Sequence, residues 1–80
     1  MRSDAEWTEE IRRILRAEMV RRGITFDELA KKLAAIGVEL SPEALRMTIN
    51  RGRFRAVLLV QCLTAMGCRS LRIIDVDEDR

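Results

Sequence analysis

An all-α fold of four helices follows from three features: side-chain caps, glycines that stop each helical run, and apolar residues at three- and four-residue spacing. The caps are clearest at Thr25-Phe26-Asp27-Glu28, a capping box, and at Ser41-Pro42, a cap residue followed by proline at the first helical position. Gly23, Gly37, Gly52 and Gly67 punctuate the runs. Together they predict helices near residues 7–22, 26–36, 42–51 and 56–66, packed as an orthogonal bundle, and then a short C-terminal extended strand. Eighty residues allow one domain over 1–80, with 1–6 and 77–80 expected to fray. Folding at this size buries only a little over ~60% of the unfolded surface, so the core is small.

The first helix takes Trp7, Ile11, Ile14 and Leu15 at helical spacing, opens on acids at Glu9 and Glu10, and stops at Gly23. Trp7 reads as a core or edge-packing residue, since a lone aromatic makes a poor platform for stacking bases. The second helix buries Phe26, Leu29, Ala30, Leu33 and Ala34 and leaves Lys31 and Lys32 off that stripe. In the third, Leu45 and Ile49 turn inward while Glu43, Arg46, Met47 and Asn50 share the other face, and Leu40 is placed to staple against Leu45. The fourth carries Leu58, Leu59, Cys62, Leu63 and Met66 with few polar interruptions, which makes it the expected core helix, buried on most sides. Residues 71–76 are β-branched and alternate with charge; as a lone strand they either pair with a second copy, which gives the expected homodimer, or remain irregular.

Composition excludes several classes. With 48% apolar and 35% charged residues the chain reads as globular, and no apolar run approaches the ~20 residues that span a bilayer. The start MRSDAEWTEE lacks a secretory pattern, so a cytoplasmic location is expected. There is no histidine, and Cys62 and Cys68 stand without further ligands, so no metal site is implied and both thiols read as reduced. Without a Gly-rich phosphate loop, a nucleophile elbow or a carboxylate pair outside caps and tail, neither an enzyme nor a cofactor is expected, and no small-molecule ligand is evident. The net charge of +2 conceals an asymmetry. From Ala44 to Ile74 there is no acid, but Arg46, Arg51, Arg53, Arg55, Arg69 and Arg72 are all present, and Asp75, Asp77, Glu78 and Asp79 follow. Such a basic surface points to a polyanionic partner.

Leu29-Ala30-Lys31-Lys32-Leu33, a glycine, a valine and a capped helix ending Asn50-Arg51-Gly52 resemble the core of the phage-repressor and Cro helix-turn-helix family. The resemblance covers about residues 12 to 68, with a second helix about one turn longer and a longer connection to the third. It implies a compact four-helix helix-turn-helix domain that binds double-stranded DNA in a sequence-specific manner as a small transcriptional regulator. The third helix would enter the major groove with Arg46, Met47 and Asn50 at base edges and Glu43 on the same face. Ser41, Arg51, Arg53, Arg55, Lys31 and Lys32 would meet phosphates. ILRAEM, RRG, LAKKL, AIGVE and LLVQCLTAMG are also similar to a family of short uncharacterised bacterial proteins, which implies no function. The alternative is a protein-interaction module, an adaptor or antitoxin-like inhibitor, whose arginines bind an acidic protein.

Overall fold

The computed structural model describes residues 3–71. Among them are four helices, α1 (Asp4–Arg22), α2 (Phe26–Ala35), α3 (Pro42–Arg51) and α4 (Ala56–Ala65), and no strand. Three of the four starts are closed by a side chain. Thr25 Oγ1 accepts the Glu28 N–H at 3.1 Å while the Glu28 carboxylate accepts the Thr25 N–H at 2.9 Å. That backbone hydrogen bond holds the Glu28 carboxyl below its ordinary range, because it favours the charged form. Ser41 Oγ accepts the Ala44 N–H at 3.1 Å.

At α1 the same box is made by Ser3 and Glu6, so the helix begins three residues before the expected start and residues 3–6 form its cap and first turn rather than a frayed end. Ser3-Asp4-Ala5-Glu6 carries the same capping-box signature as Thr25–Glu28. After α2, Gly37 takes φ +87°, and the Val38 N–H reaches back to the Leu33 carbonyl at 2.9 Å. This left-handed stop turns Val38 onto the core and starts the connection to α3.

Leu15, Leu29, Leu33, Leu45, Ile49 and Cys62 are fully buried, joined by Met19, Ala30 and Met66. Helix α2 is the centre of the packing, lying against both α3 and α4, while α1 lies on α3. One buried charge ties α1 to the far end of the chain. Glu18, 3% exposed, accepts from Arg21 at 2.7 Å and Arg22 at 3.3 Å, and Arg22 also donates to the Met66 carbonyl at 3.4 Å.

The expectation for α4 is corrected. Cys62 is its one buried residue, Leu58, Leu59 and Leu63 are half-buried, and Val57 and Val60 are 52% and 60% exposed. Only one side of α4 meets α2, and a chain this short supplies no further helix among the described residues to cover the other. Trp7, 50% exposed, packs at an edge and not in the core. Of the expected strand, Leu71 lies in no regular element and residues 72–76 fall outside the described residues, as do 77–80. Among the described residues no helix is long and apolar enough to cross a membrane.

Candidate nucleic-acid interface

Helix α3 is oriented by its buried side. Leu45 and Ile49 have no exposure, and Leu40 packs against the cluster containing Leu45 as a staple would. With that side fixed, the helical repeat turns Glu43, Arg46 and Met47 outward and leaves Asn50 half-buried at the last turn. The face is exposed as the spacing predicts, and it is short.

The end of α3 is held more tightly than its start. Gly52 is buried at φ +72°, and a Cβ there would stand 2.6 Å from Thr8 Cγ2 and 2.7 Å from the Thr8 carbonyl oxygen. Glycine therefore lets the backbone of α1 seat directly on the α3 terminus. Two residues on, half-buried Phe54 packs against the core and anchors the loop, leaving Arg53 and Arg55 exposed on either side of it. Arg51, Arg53 and Arg55 have no carboxylate within ion-pair distance among the described residues. Arg55 also occupies the cap position of α4 without a side-chain cap bond, and its carbonyl instead accepts the Leu58 N–H at 3.0 Å.

Two of the expected base readers have partners within the chain. Arg46 forms an ion pair with Glu43, one turn before it. Both side chains are about half exposed or more, at 46% and 67%, where such a pair contributes ~0–1 kcal/mol and yields readily to a better acceptor. Asn50 Oδ1 accepts from Arg16 Nη1 at 2.9 Å, and the Arg16 guanidinium lies over the Phe26 ring, 5.5 Å from its centroid. Arg16 thus joins the site from α1, 34 positions away in sequence. No local pattern marks it.

The arrangement gathers Arg46, Met47, Asn50, Arg51, Arg53, Arg55 and Arg16 around the second half of α3 and the loop after it. Ser41 and Glu43 stand at the α3 start, where Lys31 borders a shallow surface with Pro42. Lys31 and Lys32 both also line a depression with Arg22, Gly23, Ile24 and Glu28 at the turn between α1 and α2. Among the described residues no three His, Cys, Asp or Glu side chains come together as a metal ion would require.

Residues 7–71 match DUF6471, a domain of unknown function, and the chain belongs to that family. No curated protein and no solved structure matches it.

Proposed function

We propose that this DUF6471 chain is a sequence-specific double-stranded DNA-binding protein of helix-turn-helix type, acting as a small transcriptional regulator. The observation that carries the reading is the joining of two surfaces. A helix face with an exposed arginine and a half-buried amide one turn apart adjoins three exposed arginines that pair with no carboxylate among the described residues. Helix α3 lies in the major groove. Arg46 exchanges Glu43 for guanine O6 and N7, and Asn50 addresses adenine beside it. Arg51, Arg53, Arg55 and Lys31 meet phosphates, which position the helix and carry no sequence information.

Fluorescence anisotropy with DNA selected from a random pool tests this at two salt concentrations. Four phosphate contacts give a salt slope near −3.6, so affinity falls by roughly 10²-fold between 50 and 200 mM salt. Arg46→Ala costs on the order of 1–3 kcal/mol on the selected site and little on random DNA. Arg53→Ala weakens all sequences alike and lowers the slope by about one unit. If both variants bind every DNA as the parent does, α3 is not a reading head. The second reading, a module for an acidic protein, then leads; the pairing of Arg46 with Glu43 and of Asn50 with Arg16 favours it, since neither side chain is held ready for a base.

A further inference from the structure

The two side chains assigned to bases are both paired inside the chain, but the pairs differ in kind. Arg46 and Glu43 lie on one helix with both side chains largely in water. Asn50 is half-buried at the last turn of α3, and its partner Arg16 belongs to α1, which packs on α3. Arg16 is itself seated, its guanidinium lying over the Phe26 ring of α2 at 5.5 Å from the centroid. Three helices therefore hold one amide. A guanidinium has donors and no acceptor, so the end of the amide that faces it, at 2.9 Å, has to be Oδ1. The donor is charged, which makes the bond stronger than one between neutral groups.

We infer that Arg16 is a specificity-determining residue, which competes with adenine for the Asn50 amide and so restrains base reading. The inference rests on the proposed reading of DNA by α3. Adenine takes both ends of an asparagine amide, giving its N6–H to the oxygen and receiving the nitrogen's proton at N7. In the free chain the oxygen points at α1, and only the nitrogen, a donor, is left to face a base. Asn50 must leave Arg16 before it meets adenine. Apparent affinity for the right site is therefore reduced to the fraction of molecules in which Asn50 is free. A wrong base costs less in turn, because Asn50 falls back on Arg16 and its oxygen is not left unpaired. Both effects have the same sign: Arg16 lowers the preference for adenine at the position Asn50 faces.

The test is fluorescence anisotropy of the full chain on a DNA site selected from a random pool, and on the same site with one base pair replaced, the pair whose preference Asn50→Ala abolishes. The ratio of the two affinities cancels any general effect of charge. Arg16→Met keeps an apolar stem over Phe26 and removes the donors, and it raises the ratio several-fold, up to about tenfold for one hydrogen bond of ordinary net strength. Combined with Asn50→Ala, the same change leaves the ratio flat, which a merely structural role for Arg16 does not predict. Should Arg16→Met lose the helical circular dichroism signal, Phe26→Leu serves instead: it keeps the charge, removes the ring beneath it and raises the ratio roughly two- to fivefold. An unchanged or lower ratio in the variant that folds overturns the inference and leaves the DNA reading standing. So does an Asn50→Ala chain that keeps every preference of the parent, since Asn50 then faces no base. A parent chain that selects no site overturns both.

Discussion

Helices α3 and α4 are both ten residues long and follow one another across a four-residue link, yet they expose opposite chemistries. Helix α3 has a serine cap, a proline at its first position, two fully buried side chains and an outer face of charge and amide. Helix α4 has no side-chain cap, one buried residue and an outer face that exposes Val57 and Val60. The helix with the fewer apolar residues is the better anchored. Apolar content measures how much surface a helix would gain by burial; the neighbours decide how much of it is covered. In a chain of this size the cover is spent on α2 and α3, and α4 keeps an apolar side exposed.

The sharpest way to break this contrast is to shorten one apolar side chain on each helix. Leu45→Ala empties a site with no exposure and lowers stability by about 2–5 kcal/mol. Val60→Ala removes methyls from a side chain 60% exposed and costs below about 0.5 kcal/mol. Urea unfolding of both variants at low protein concentration measures the two costs, and equal costs would mean that α4 is the core helix its sequence suggests.

That error shows where sequence reading stops. Caps and stripes are local, so Thr25, Ser41, the Leu45 and Ile49 side of α3 and the glycine stops were legible within a few residues. Ser3 and Glu6 form the same local signature at the start of α1. The burial of α4 was not legible, since Val57 and Val60 are apolar whether covered or not. Nor were the contacts of Arg16 with Asn50 and of Gly52 with Thr8, which depend on α1 crossing the end of α3. Of the candidate site, the α3 face and the loop arginines were readable, and the brace from α1 was not.

Gly52 joins the two helices, and its replacement sharpens the comparison with a somewhat smaller effect. Gly52→Ala places a methyl against the Thr8 backbone and holds a non-glycine residue at positive φ. The cost is roughly 2–3 kcal/mol, a fall in melting temperature of about 10–20 °C for a domain of this size. Adding Thr8→Ala removes the Cγ2 contact at 2.6 Å but not the carbonyl oxygen at 2.7 Å, so the double variant recovers only a small part of the loss. Full recovery in thermal melts would show the threonine methyl, and not the backbone, to be the obstacle.

The smallest effect concerns the side on which α4 is buried. Cys62 has no exposure, and desolvation pushes its thiol up from 9.0 to about 11, because the thiolate is the form that burial penalises. Below pH 9 the thiol is neutral in both folded and unfolded chains, and this contribution to stability is fully present. As pH rises past 9 the unfolded chain releases its proton first, so stability is lost progressively until the folded thiol titrates near 11. By pH 10 the loss is on the order of 1 kcal/mol. A Cys62→Ala variant isolates it, since the cavity left behind has the same cost at every pH. The stability of the parent relative to this variant holds steady from pH 7 to 9 and declines from 9 to 11. Half-buried Cys68, whose Sγ donates to the Ser70 carbonyl at 3.0 Å, sits beyond α4 and reacts with a thiol reagent in the folded chain at pH 8, while Cys62 reacts only on unfolding. Equal rates for the two cysteines, or a parent–variant difference flat through pH 11, would mean that α4 is open to water on both sides.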